Sequence, residues 1–240
     1  MNSNIHFFIV GDSHVRTFPV RKNIHPVFLK PGKYLNFLND NNSFLTQNLI
    51  IQLLDYATRD VPKPVLVIPF GEASTRYALN RSWEPNNCSP TVSSYKIVEN
   101  ESRCFINLLN VIHEKFFNKI EIYVVTPPLT FRTGQNLLIE NITKDLVGSA
   151  SFYRVINGLE FSKNNFNSLF QIYSDSIHCN IGYGTHLLNY ITDCNSIENL
   201  ISWPQQPEFN WLSCFESFLC YKFKVESEKI PYEQLEFKYS

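Results

Sequence analysis

Hydrophobic positions along this chain gather into short runs, separated by longer stretches in which they recur at helical spacing. The runs "IHFFIV" (5–10), "HPVFLK" (25–30), "PVLVIPF" (64–70), "IEIYVVT" (120–126) and "SLFQIY" (168–173) have strand length, and most are rich in β-branched or aromatic residues. They predict five strands. Between them, "NSFLTQNLIIQLLDYATRD" (42–60) and "TVSSYKIVENESRCFINLLNVIHEKFF" (91–117) are long enough for helices. In the second, Phe105, Leu108, Leu109, Ile112 and Phe116 form one apolar stripe. A further helix is expected over "YGTHLLNYITDC" (183–194).

Strands that are apolar nearly throughout have no reason to alternate unless both faces are buried, and helices between them supply the cover. The fold class is therefore α/β: a three-layer α/β/α sandwich around a five-stranded, mainly parallel sheet. Ligands in such sheets sit beyond the carboxyl ends of the strands, so the residues just after each run are the ones to inspect. Near residue 196 the texture changes. "SIENLISWPQQPEFNWLSCFESFLCYKFKVESEKIPYEQLEFKYS" carries Trp203, Trp211 and three prolines. Residues 1–195 are read as the α/β domain and 196–240 as an aromatic-rich extension packed on it, with a dimer or partner contact as the alternative.

Composition trims the list of functions. The 240 residues are 44% hydrophobic and 15% aromatic, enough for one good core. The net charge of −1, without any Lys/Arg block, argues against nucleic acid or an anionic membrane as partner and favours a small or neutral substrate. No apolar run approaches the ~20 residues of a membrane span, and "MNSNIHFFIVGDSH" lacks the features of a secretory leader, so the cytosol is the expected compartment. Six scattered cysteines without a Cys-x-x-Cys pair read as thiols rather than a zinc site or a disulfide framework. No metal or organic cofactor is called for, and a homo-oligomer is left open.

The strand ends hold the chemistry. After the first run comes "GDSH", after the third "GEASTR", after the fourth "TPPLTFR" and after the fifth "SDSIHCN". A serine hydroxyl is a poor nucleophile until a histidine, itself held by a carboxylate or carbonyl, takes its proton. Ser13, Asp175 and His178 supply these three chemical types at two of the strand ends. Ser13 has a plainer alternative as the cap of a following helix, and Asp12 is read as a structural residue of the turn.

"IVGDSH" together with "DSIHCN" resembles the first and last motif blocks of the SGNH (GDSL-type) hydrolase superfamily. The resemblance, which spans about residues 5–190, implies Ser13 as nucleophile, His178 as base and Asp175 as the residue that orients His178. It also implies a flavodoxin-like strand order, 2-1-3-4-5. "FGEASTR" is similar to a branch with a Gly-Glu-Ile-Asp-x-Arg motif after the third strand, matched here by Gly71, Glu72 and Arg76. Ala73 stands where the typical member has the Asn of its oxyanion hole, and losing one such donor costs ~10²–10³ in rate. The backbone of Ser13 and of Gly32, in the second block, remain as donors, with Arg76 as a further source of positive charge. Glu72 and Arg76 also read as an ion pair bracing the loop under the site.

The expected function is thus a serine esterase or deacetylase acting on a small or sugar-linked ester, since that branch is associated with glycan genes. The rivals are an O-acetyltransferase with the same triad and a non-catalytic glycan-binding or scaffold protein, which Ala73 favours. A nucleotide-binding protein ranks last, because no phosphate-binding glycine motif follows the first strand. His14, next to Ser13, is expected to point away from it. His6, His25, His113 and His186 are assigned to core or surface roles.

Overall fold

The computed structural model describes residues 5–11, 13–19, 23–28, 40–61, 63–81, 89–130, 132–173 and 179–192. Five strands, β1 (Ile5–Gly11), β2 (Ile24–Phe28), β3 (Lys63–Pro69), β4 (Glu121–Val125) and β5 (Arg154–Ile156), pair in parallel in the order β2-β1-β3-β4-β5. Helices α1 (Asp40–Asp60), α2 (Glu72–Arg81), α3 (Val92–Phe116), α4 (Thr133–Gly148), α5 (Gly158–Asn165) and α6 (Ile181–Thr192) cover the sheet. The result is the three-layer α/β sandwich, with the 2-1-3-4-5 order.

Strand periodicity divides the apolar residues between two cores. Phe8, Val10, Leu66, Ile68, Ile122 and Val124 face α1, α2, α3 and α4, while Phe7, Ile9, Val65, Val67, Tyr123 and Val125 face α5, α6 and the 3-10 helix Ser13–Thr17. Both sets are buried, which is why these strands read as unbroken apolar runs. Each such side chain contributes about 1.5–3 kcal/mol by leaving water. In α3, Thr91 and Ser94 form a reciprocal capping box at the N-terminus, and the stripe Phe105, Leu108, Leu109, Ile112 and Phe116 is buried throughout.

One strand assignment is corrected. Residues 168–173 do not form the fifth strand. Leu169–Gln171 is a 3-10 helix whose amide bonds close locally, Ile172 N and Tyr173 N both donating to the Leu169 carbonyl. Gln171 holds this turn from both ends: its side chain accepts from Asn167 N at 2.8 Å, and its carbonyl accepts from the Asn180 amide at 2.7 Å. The fifth strand is the three-residue Arg154–Ile156, too short to leave a periodicity signal. Asp175 and His178 therefore follow a turn rather than a strand.

Because the strand order reverses about β1, the carboxyl ends of β1 and β3 diverge into helical connections on opposite faces and leave a crevice between them. The proposed extension, residues 196–240, lies outside the described residues. Among the described residues, no helix is long and apolar enough to cross a membrane.

Candidate active site

A cleft opens at the carboxyl edge of the sheet. The 3-10 helix after β1 and the residue beyond it give it His14, Thr17 and Phe18, the passage from β3 into α2 gives Pro69, Phe70, Gly71 and Glu72, and the end of β4 with the residues after it gives Val125 to Pro128. Tyr173, Cys179 and Tyr183 complete the described lining.

Gly71 makes the sharp turn from β3 into α2. Its φ of 109° lies where a side chain is disfavoured, and a Cβ there would also come within 3.2 Å of Ile142 Cδ1. The turn sets Glu72 in the first turn of α2, where the helix dipole favours a carboxylate. Three side chains converge on it. His14 Nε2 donates to Glu72 Oε2 at 2.9 Å, Arg76 Nε to Oε1 at 3.0 Å, and Gln135 Nε2, from α4, to Oε1 at 3.4 Å. Burial pushes the Glu72 carboxyl up, but the hydrogen bonds and charges of His14 and Arg76 outweigh it and hold the group down at about 2. Glu72 is therefore an anion at any physiological pH, with its lone pairs occupied. It is a clamp rather than a proton acceptor.

Arg76 turns its guanidinium onto Glu72 and is not among the described residues lining the cleft. Gln135 also donates to Thr75 Oγ1 at 3.2 Å, tying α4 to α2 beneath the site. Neither Gln135 nor the His14–Glu72 pair was legible in the sequence; the latter joins residues 58 positions apart.

The opposite wall is held to the first by its main chain. Thr17 Oγ1 donates to the Cys179 carbonyl at 3.3 Å. Gly184, in α6, rests against Thr17 so closely that a Cβ would collide with the Thr17 carbonyl oxygen. Tyr173 and Cys179 pair in an antiparallel bridge. Burial, with Cys179 adding to it, holds the Tyr173 and Tyr183 phenols well above their ordinary value, so both are neutral.

Of the residues expected at the site, Gly71 and Glu72 line the cleft and Arg76 supports it. Ser13 opens the 3-10 helix immediately beyond β1, and its backbone is described although its side chain is not. Gly32, Asp175 and His178 lie outside the described residues. Of the cysteines, Cys104 and Cys179 are described, both as thiols.

The other histidines serve packing. His6 and His25 stack in the core with a ring nitrogen contact of 3.2 Å, and burial with the neighbouring His6 lowers His25 to about 3. His113 stacks on Phe152, and His186 meets the edge of Phe166. Among the described residues, no group of three or more His, Cys, Asp or Glu could hold a metal ion.

Fold and cleft together define an α/β/α protein with a polar clamp at the switch point of its sheet. Comparison with protein-family models, curated proteins and solved structures finds no match, so function is argued from the residues themselves.

Proposed function

We propose that the cleft is the active site of a serine ester hydrolase or acyl transferase for a small or sugar-linked ester, with Ser13 as nucleophile, His178 as base and Asp175 orienting the imidazole. One observation carries this reading. Tyr173 and Cys179, which flank the stretch holding Asp175 and His178, are bridged to each other and line the same cleft as His14, the residue after Ser13. The bond from Thr17 to Cys179 links the helix that Ser13 opens to the residue that follows His178.

The chemistry then follows the general serine scheme. As Ser13 Oγ bonds to the carbonyl carbon, its proton passes to His178 and the carbonyl π pair moves onto oxygen. Collapse reforms the carbonyl and expels the alcohol, which takes the proton from His178. Water, or an acceptor hydroxyl in the transferase case, attacks the acyl-enzyme by the same route and restores Ser13. The likeness of "FGEASTR" to a glycan-associated branch makes acetylated sugars the first substrates to screen. Ala73 favours a second reading, a glycan-binding protein without efficient chemistry, because it brings no side-chain donor to the oxyanion.

A fluorophosphonate probe separates the two. The hydrolase reading expects an adduct on Ser13, located by peptide mass spectrometry and lost in Ser13→Ala and His178→Ala. A folded protein that takes up no probe moves the binding reading ahead.

A further inference from the structure

Glu101 is a buried ionisable group that the proposed reaction does not use. It is 1% exposed and sits where α3 packs on the first turn of α2. Ser74 of α2 reaches toward it, but neither carboxyl oxygen has a well-formed hydrogen bond. A neutral carboxyl is tolerated in such a place, whereas an ionised one without donors is costly. Of the two helices, α2 is the one that can yield. Its buried face is made by Ser74, Thr75, Ala78 and Leu79, of which only Leu79 is a large apolar side chain, while α3 is anchored by Phe105, Leu108, Leu109, Ile112 and Phe116. Gly71, at φ 109°, joins α2 to β3. Ser74 is two residues from Glu72, so a displacement of this turn also moves the carboxylate that lines the cleft.

We propose that Glu101 is a proton-controlled latch: protonated, it lets α2 lie against α3 with Glu72 in the cleft, and ionised, it favours release of α2 and withdrawal of Glu72. The latch goes beyond the serine reading and does not depend on it. The surrounding charges leave Glu101 in control. On α2, Glu72 and Arg76 pair with each other; on α3, Arg103 turns outward onto Glu99; on α4, Asp145 is raised by burial and then by Glu99. Cys104, on α3, has its thiol raised by burial and then by Glu101. No cation among the described residues offsets a charge on Glu101. Burial pushes its carboxyl up to about 7 in the closed form, and release returns it to about 4.5. The closed form therefore binds the proton more tightly, and the opening constant of α2 climbs about tenfold between pH 6 and pH 8.

The experiment follows amide hydrogen exchange of the full chain by NMR, residue by residue, between these two pH values, each rate divided by its intrinsic value at that pH. The Thr75 amide, which donates to the Gly71 carbonyl at 3.0 Å, reports the turn that carries Glu72, and the amides of β3 and β4 report opening of the whole fold. Thr75 is expected to open more readily than the strands, with a constant that rises about tenfold in the wild-type protein and stays flat in Glu101→Gln.

A flat wild-type profile overturns the inference and needs no variant to fold. A Thr75 amide that opens only together with β3 and β4 also overturns it, since the response then belongs to global unfolding. So does a rise that persists in Glu101→Gln. Fluorophosphonate labelling of Ser13 is run on the same samples: its failure removes the serine reading and leaves the latch standing where the Thr75 profile holds.

Discussion

Two glutamates, Glu72 and Glu101, sit at opposite ends of the electrostatic range although both are largely removed from water. Glu72 retains 12% side-chain exposure and Glu101 has 1%. Glu72 is surrounded by donors and lies at about 2. Glu101, on the buried side of α3, is pushed by burial up to about 7, with Ser74 of α2 pulling weakly downward, and neither of its carboxyl oxygens has a well-formed hydrogen bond. The two shifts are similar in size and opposite in sign. Burial alone thus does not decide whether a carboxyl is charged; the number of donors brought to it does. The same helix, α2, carries the ionised carboxylate toward the cleft and presents Ser74 to the raised one in the core.

Breaking the Glu72 clamp has the largest expected effect. Glu72→Ala leaves His14 and Arg76 without their shared anion and should lower unfolding free energy by about 3 kcal/mol at pH 7. The folded-state value lies below the unfolded one, so this contribution is present above about 4.5 and disappears as pH falls toward about 2. Denaturant titrations of wild-type and variant protein should therefore converge in acid. A constant difference down to the acid limit would mean that the clamp acts by packing and not by charge.

Glu101→Gln inverts the comparison. Here the folded-state value is raised, so the native protein holds its proton more tightly than the unfolded chain and loses stability as pH rises from about 4.5 to about 7. The loss amounts to about 3 kcal/mol above neutrality, of which the uncharged amide should recover about 2 kcal/mol at pH 8 and almost none at pH 4.5. Thermal melts across that range measure it. A variant destabilised at both pH values would place a needed hydrogen bond at Glu101.

Gly71→Ala sharpens the cleft side of the comparison by moving backbone and no charge. Strain at φ 109° and the approach to Ile142 should cost about 1–2 kcal/mol. The acid convergence seen with Glu72→Ala should be absent, since the carboxylate and its donors remain.

The sequence disclosed the parts of this molecule that repeat a signal over many residues. β1, β3 and β4 are long apolar runs because both faces are buried, and α3 carries an apolar stripe over its length. β5 escaped because Arg154–Ile156 spans little more than one strand repeat, too little to show a pattern, and its place was given to a segment whose amides bond locally. α2 escaped because "EASTRYALNR" is polar along much of its length, and α5 because eight residues hold only two turns. At the site, Gly71, Glu72 and Arg76 were visible as one local motif. The place of His14 in the cleft lining escaped for a geometric reason. Neighbours in a strand point apart by 180°, whereas in a 3-10 helix they differ by only about 120°, so following Ser13 does not by itself set the direction of His14, which lines the cleft.

The contact of Gly184 with the Thr17 carbonyl bears on how this protein could be altered. Where two walls meet through side chains, their spacing can be trimmed one methylene at a time; where they meet main chain to main chain, as here, it is set by the van der Waals contact of the backbones. Directed evolution of the cleft would find little freedom in its width and would have to work through what projects into it, chiefly Phe18, Val125 and Tyr183. Selectivity would then change by filling or emptying a slot of constant gauge.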